Sequence, residues 1–507
     1  MDQNIPDSFF EQLQGTGTII KEPDLAFYKK NTLGIEAEID AVFQPECKED
    51  VQKLVLLANK FQISLYPIST GRNWGLGSAI PKHKKSVVVD LSKMKQVIHF
   101  DEKTGIITIQ PGVTQGDLRT FLDSKKAQFM SSITGAGPNT SIIGNILDKG
   151  VGVLGSAIHT IRAIECVLPD GSLYNDGINV LCKKQLTPSI RIGVGPLLEG
   201  LFIQGDFAIV TAMTIALYHQ PKYITTFYIS APDKTALAKT IDIYHQYNAL
   251  NGHSNILSGR WSKALLPPTQ TGGYSYSCII ASTDVSLHQA RKKMLKKLIR
   301  NAGLKGYSIG DKNILRLKKV FHHPFMQKHF SRIASLVDLL EMSLSYSKGY
   351  PNEHNLKEQY QLLQIDVPQD RYLELAEDGV GFIWYIVLFA ATSENLLSFH
   401  ELVSTSAELH QVTDNRFHVL PYKSDVLVGL ARVAFNLSDP TGKDKAHAFY
   451  RDLLERGIEQ GFVPHRVPFH VINSLVNLES PYWSLIKKIK EAIDPHHIIA
   501  PDKYWTK

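Results

Sequence analysis

Two stretches hold the residues best suited to gripping an anion. One is Tyr66-Pro-Ile-Ser-Thr-Gly-Arg-Asn-Trp-Gly-Leu-Gly-Ser78 and the other is Thr134-Gly-Ala-Gly-Pro-Asn-Thr-Ser-Ile-Ile-Gly-Asn145. Glycine lets backbone approach a ligand closely and adopts positive φ, so consecutive N–H groups can face a phosphate with no side chain between. The diphosphate of a dinucleotide needs such a surface. Neither stretch is a common fingerprint: Gly71, Gly75 and Gly77 do not spell G-x-G-x-x-G, and no G-x-x-x-x-G-K-[ST] occurs. On composition and spacing alone, such a stretch is more often just a turn.

The flanking elements decide how such loops would be held. Ala41-Val-Phe-Gln-Pro45 predicts a short strand, Lys48 to Phe61 a helix with Val51, Leu54, Val55, Leu57 and Ala58 on one face, and Ile63 to Ile68 a second strand. That order sets the first glycine loop at a strand end, where α/β sheets take ligands. Ser86 to Leu91 and Gly105 to Gln110 predict further strands, and Thr114 caps a helix running to Leu122. Thr160 to Leu168 is a strand entering the turn Pro169-Asp-Gly171, and Phe207 to Leu217 is a long strand. From about Gln220 the texture changes to mixed strands and long amphipathic helices, Ser286 to Ala302 and Asn395 to His410 among them. A last helix, Tyr482 to Ile493, ends at Asp494-Pro495.

With 507 residues, 43% of them hydrophobic and 21% charged, the chain can build two or more cores. Its net charge of +6 is dispersed, with small clusters at Lys82 to Lys85 and Arg291 to Lys297, and no basic arm or stripe marks a nucleic-acid reader. Cys47, Cys166, Cys182 and Cys278 stand far apart, which predicts reduced thiols and no zinc site. The pairs His322-His323 and His496-His497 lack further ligands, so no metal is expected. Met1-Asp-Gln-Asn-Ile-Pro6 carries no secretory pattern, and cytoplasmic location is expected. The uncharged run Val380 to Ala391 is shorter than the roughly 20 residues that cross a bilayer, and predicts a buried strand instead of a membrane span.

Seven blocks, in this order, carry a resemblance. They are Pro67 to Gly77, Gln110-Pro-Gly-Val-Thr114, Ile143-Gly-Asn-Ile-Leu-Asp-Lys-Gly-Val-Gly152, Leu168-Pro-Asp-Gly171, Gly195-Pro-Leu-Leu-Glu-Gly-Leu-Phe202, Ala208-Ile-Val-Thr211 and Asp494-Pro-His-His-Ile-Ile-Ala-Pro501. The chain resembles the vanillyl-alcohol oxidase and p-cresol methylhydroxylase family of FAD enzymes. The resemblance implies an α+β protein: a PCMH-type FAD-binding domain of two α/β subdomains in residues 1–220, an inserted α+β cap in 221–460, and a C-terminal segment, 461–507, returning to the first domain. By motif position it implies that Ser69, Thr70, Gly71, Arg72 and Asn73 hold the diphosphate, with Gly75 and Gly77 also among the cofactor-binding residues. Thr134, Gly135, Ala136, Ser141, Gly144, Asn145, Asp148, Gly150, Gly152, Ile209, Val210 and Lys503 would line the same cofactor.

The departures shape the expected chemistry. Where the phenol-oxidising branch carries two tyrosines beside an arginine, this chain has Leu76 and His465-Arg466, so only the arginine of the phenolate grip persists. The aspartate of some oxidases falls at Ala136. Phe382 stands where the family bonds flavin covalently, which implies noncovalent FAD, with Tyr385 as the alternative attachment if the register is shifted. Arg466 and His465 are the expected catalytic residues, the first stabilising negative charge and the second a candidate base. The implied activity is hydride transfer from an alcohol, amine or activated C–H of a small molecule to flavin, then to oxygen or a redox carrier. Two alternatives stand beside it: a 2-hydroxyacid dehydrogenase in which Arg466 binds the carboxylate, and a flavin-binding partner subunit without its own turnover. Homo-oligomerisation is left open.

Overall fold

The computed structural model describes residues 5–83, 86–176, 190–191, 193–251, 258–263, 274–412 and 417–504. Cys182, Lys84 and Lys85 lie outside them. In the first subdomain the strands Ala41–Gln44, Ser86–Asp90 and Ser64–Ile68 run parallel, with Thr18–Ile20 antiparallel on one edge. All five residues of the central strand, Ser86–Asp90, are buried, as befits a parallel strand covered on both faces. The helix Lys48–Phe61 carries Glu49 and Asp50 in its first turn, where the macrodipole favours them, and stops at Gln62 in a left-handed conformation. Its expected apolar face, from Val51 to Ala58, packs on this sheet.

The second subdomain is a five-stranded antiparallel sheet ordered Leu173–Asn175, Ile161–Val167, Ile209–Ala216, Ile106–Ile109, Val97–Asp101. Thr114 and Asp117 form a capping box at the head of helix Gln115–Ser124, each side chain accepting from the other's backbone N–H at 3.1 Å. Among the described residues Cys47, Cys166 and Cys278 are free thiols. No described helix is long and apolar enough to cross a membrane.

The cap is built on one eight-stranded antiparallel sheet, ordered Lys305–Gly310, Tyr223–Ala231, Tyr274–Ser282, Ser258–Lys263, Phe417–Pro421, Val426–Asn436, Val380–Ala390, Val463–Arg466. One face packs on the helices Lys234–Asn251, Val285–Asn301, Ser393–Leu409 and Pro440–Glu459. The other face is turned to the glycine loops. The edge strand Val463–Arg466 pairs with Val380–Ala390, which places the first residues of the expected 461–507 segment on the cap side.

Beyond that strand the chain returns through the helix Pro481–Ile493. Lys490, 1% exposed, donates through Nζ to Asp494 Oδ2 and Ile499 O, both at 2.8 Å, and to Asp206 O. Asp494, fully buried, also accepts from the backbone N–H of Ile498 and Ile499 at 3.0 Å. The tail so shaped bonds along Leu65, whose N–H donates to Ile498 O and whose carbonyl accepts from Ala500 N, each at 2.7 Å. Replacing Lys490 by methionine would leave Asp206 and Asp494 buried without their cation, a defect that costs about 3–5 kcal/mol. Thermal unfolding of Lys490→Met should therefore show a clearly lowered midpoint, and an unchanged one would mean that the cluster does not hold the tail.

Candidate active site

The two glycine loops come together. Ser141 N donates to Thr70 Oγ1 at 3.2 Å, and a Cβ on Gly144 would lie 2.9 Å from Ser69 Oγ. Ser141 is fixed in turn: its Oγ donates to Pro111 O at 2.6 Å and accepts from Gly144 N at 2.9 Å. Gln115, first residue of the Thr114-capped helix, holds the second loop by accepting from Thr134 N at 2.6 Å and donating to Gly137 O at 2.8 Å. The capping box thus sits beside the loop that its helix holds, with Thr114 itself bridged to Ser141.

Between these loops and the open face of the cap sheet lies a cavity of about 1920 Å³. Ligand pockets for single small molecules run to roughly 1,000 Å³, so this one has room for a long cofactor and a second molecule. It is lined by Ser69, Thr70, Gly71, Arg72, Asn73, Thr134, Gly135, Ala136, Ser141, Gly144, Asn145, Asp148, Gly152, Val210, Arg466 and Lys503 of the expected set. Five expected residues do not line it: Gly75, Gly77, Gly150, Ile209 and His465.

Each of the five has a physical reason. Gly75, at φ +76°, is where the loop meets the cap: a Cβ there would sit 2.6 Å from Trp384 and 2.7 Å from Phe382. Its N–H donates to Thr32 Oγ1 at 2.7 Å and its carbonyl accepts from Trp384 N at 3.3 Å. Gly77 makes the same close approach to Phe469, and Gly150 to the Asn145 side chain. Ile209 and Val210 are neighbours on one strand, so they face opposite ways. Val210 turns to the cavity and Ile209 into the core with Leu65 and Val167. The same alternation sends Phe382 and Trp384 to the cavity and Tyr385 to the helical core, where its ring lies against Phe399 and Tyr450.

Several lining groups suit FAD. Among the described residues, the backbone N–H groups of Thr70, Gly71, Arg72 and Asn73 donate to nothing, and the buried Thr134 Oγ1 has no partner. Orphan donors on one wall are what a diphosphate would satisfy. Arg72 lines the cavity with its guanidinium held by Glu374 of the cap. Burial pushes the pKa of Lys503 down while Asp206 and Asp148 push it up, and its Nζ donates to Gly205 O at 3.2 Å. Ala136 carries no carboxylate, and the nearest motif carboxylate in the cavity wall is Asp148.

Arg466 joins the two loops. Its Nε donates to Asp148 Oδ2 at 2.9 Å, and its Nη2 reaches both Asp148 and Asn73 Oδ1, the latter at 2.8 Å. Its Nη1 makes no hydrogen bond among the described residues. His465 points away from the cavity and places its Nε2 3.0 Å from Lys149 O. A carbonyl only accepts, so that nitrogen carries the proton. Burial lowers the pKa of His465 to about 4, with Arg466 and Lys149 adding to the effect and the Lys149 carbonyl opposing it. The ring supports the Asp148-Lys149 turn through Nε2, which leaves Nδ1 as its unprotonated nitrogen. The sequence reading missed the cap's contribution: Arg260, Tyr228 and Arg432 line the same cavity. Arg432 had a legible signal, a lone charge in the apolar run Val426 to Phe435. His322 pairs with Asp338 at 2.7 Å, and no group of three or more metal-ligating side chains converges among the described residues.

Comparison with known proteins agrees with this geometry. The FAD binding domain family matches residues 39–177. The chain is 27% identical to 1'-carboxy-chondrochloren decarboxylase of Chondromyces crocatus, over 98% of this chain and 96% of that one. It is 24% identical to the 4-cresol dehydrogenase [hydroxylating] flavoprotein subunit of Pseudomonas putida, over 97% of this chain and 94% of that one. Among solved structures, p-cresol methylhydroxylase with substrate bound superposes with a TM-score of 0.82 at 20% identity, covering 98% of this chain and 96% of that one.

The state of His465 has a consequence for stability. Its folded pKa of about 4 lies below the ordinary 6.5, so between these values the unfolded chain takes up a proton that the folded chain refuses. Stability is therefore lost as pH falls from 6.5 towards 4. His465→Gln keeps an N–H for Lys149 O without a titrating group. Melting curves between pH 4.5 and 8 should show a shallower acid decline for the variant, and parallel declines would assign the loss to other groups such as His470, lowered likewise by burial.

Proposed function

Because this chain is a member of the vanillyl-alcohol oxidase and p-cresol methylhydroxylase family of FAD-binding flavoproteins, and thus an FAD-dependent oxidoreductase, we propose that it removes a hydride from an alcohol, amine or activated C–H carbon of a small organic molecule. FAD, when bound, supplies the two-electron acceptor. Oxygen or a redox carrier takes the electrons onward. The observation that carries this reading is the convergence of both glycine loops and Arg466 on one cavity roofed by the cap sheet.

The protein's own part is orientation and electrostatics. Ser69 to Asn73, with Thr134, Ser141, Gly144 and Asn145, would hold the diphosphate through backbone and hydroxyl donors. Arg466 is anchored on two sides by Asp148 and Asn73, which leaves Nη1 to meet negative charge that develops in the cavity. Lys503 adds a second cation on the same wall. Phe382 and Trp384 cover the site from the cap and exclude water. The alternative in which Arg466 binds a hydroxyacid carboxylate fits less well, since two of its nitrogens are already committed to Asp148 and Asn73. The decarboxylase relative favours a second reading, in which carbon dioxide leaves the substrate as the hydride is removed. Anaerobic mixing with alcohols, amines, phenols and acids, following flavin bleaching and released carbon dioxide together, separates the two.

A phenyl ring at Phe382, which offers no nucleophile, and the burial of Tyr385 on the far side of the sheet support a reading in which FAD is held without a covalent bond. Acid or heat precipitation should release yellow FAD into the supernatant. Flavin retained on the denatured chain would reveal another attachment residue.

Arg466→Ala should slow anaerobic flavin reduction on the order of a hundredfold while flavin stays bound, because a preorganised donor in a water-poor site is removed. Arg466→Lys should restore little, since an ammonium cannot span Asp148 and Asn73 as the planar fork does. Near-normal reduction by the alanine variant would remove Arg466 from the chemistry.

A further inference from the structure

The cap face of the cavity carries a row of polar groups that the flavin site does not use. Strand register puts Tyr228 opposite Ser277, and Ser277 opposite Arg260. Three adjacent strands therefore bring one arginine, one serine and one tyrosine side by side on the same sheet face, with backbones roughly 4.8 Å apart from strand to strand. All three line the cavity. Serine is small, so a notch is left between the guanidinium and the phenol.

The notch brings together donors that no acceptor among the described residues engages. Among the described residues, neither the Arg260 guanidinium nor the Tyr228 hydroxyl makes a hydrogen bond or ion pair. The nearest carboxylate, Glu358, lies close enough to be felt by Arg260 but is bonded to Arg432 at 3.2 Å and pairs with His354 at 3.5 Å. Burial disfavours the Arg260 cation, Arg432 does so further, and Glu358, Tyr228 and Tyr346 offset this in part. A guanidinium stays charged in proteins, so its donors need an anion from elsewhere. Around the notch the wall is apolar: Ile279, Leu336, Leu339 and Leu340 line the same cavity.

We propose that Arg260 and Tyr228, set on either side of Ser277, whose hydroxyl donates to Arg260 O at 3.4 Å, form a binding site for the carboxylate of an organic acid whose apolar body lies along Ile279 and the leucines of helix Ser331–Ser347, and that this acid is the substrate. The assignment rests on the oxidoreductase reading for the word substrate. The recognition itself rests on the cap alone. A planar fork beside a phenolic O–H matches two coplanar oxygens, whereas an alcohol or amide gives Arg260 no charge to meet.

The test is isothermal titration calorimetry on the full-length, flavin-loaded protein with benzoate, cinnamate and octanoate, each against its primary amide, and with inorganic phosphate. At least one acid should bind about tenfold or more tightly than its amide, the scale of a charge-assisted hydrogen bond in a buried site. Arg260→Ala should abolish that preference and Arg260→Lys restore only part of it, with the flavin spectrum unaltered in both. Tyr228→Phe, a change of one hydroxyl, should weaken the acids several-fold and leave the amides alone; it decides the matter if the alanine variant does not fold. Equal binding of acids and amides by the native protein, or an unchanged preference in a folded Arg260→Ala or Tyr228→Phe, overturns the site. Phosphate binding more tightly than every acid overturns the carboxylate assignment. Calorimetry reads binding without flavin colour, so a protein that takes up no added FAD refutes the cofactor reading while the carboxylate comparison is still decided on its own.

Discussion

A single buried ammonium, that of Lys490, closes the chain upon itself. The chain leaves its first two subdomains near Gln220, builds the whole cap, and must come back to the strand Ser64–Ile68 from which the first glycine loop springs. Lys490 meets that need by gathering Asp206, at the end of the outward half, with Asp494 and Ile499 of the returning tail. An ion so deeply buried is tolerable only with nearly complete coordination, and this cation has it. The tail then lies along Leu65, three residues before Ile68, and Lys503 follows directly into the cavity. Cofactor loop, tail and cap are consequences of one closure.

A second rule, the two-residue period of strands, sorts function from support. On Val380–Ala390 it gives Phe382 and Trp384 to the cavity and Ile383 and Tyr385 to the core. On Ile209–Ala216 it separates Val210 from Ile209. On the cap's first three inner strands it lays Tyr228, Ser277 and Arg260 on one surface. A one-residue slip would reverse all these assignments, and the packed helices on the far face forbid it.

This explains what could be read in advance and what could not. The helix Lys48–Phe61, the Thr114 cap and the two loops are set by neighbours in sequence, and their limits fell within a residue or two of expectation. Gly75 and Gly77 were legible as glycines but not as packing points, because Trp384, Phe382 and Phe469 lie hundreds of residues away. His465 reads as a candidate base because an imidazole titrates near neutrality, and only the fold shows its ring bonded to a backbone carbonyl. Arg260 was invisible for a related reason: its meaning lies in Ser277 and Tyr228, which join it only through strand pairing.

The contact at Gly75 carries a consequence for modularity. One residue of the cofactor loop is bonded both to Thr32, ahead of the first parallel strand, and to Trp384 in the middle of the cap sheet, while Phe382 N donates to Thr32 O at 2.8 Å. The three segments form a knot of hydrogen bonds, two between backbones and one to the Thr32 hydroxyl, at the seam between the domains. A cap borrowed from a relative would have to bring its own counterpart of Thr32 and a loop of matching shape. Exchange of the cap as a cassette would break this seam, whereas side-chain replacement on the cap's inner face leaves it intact.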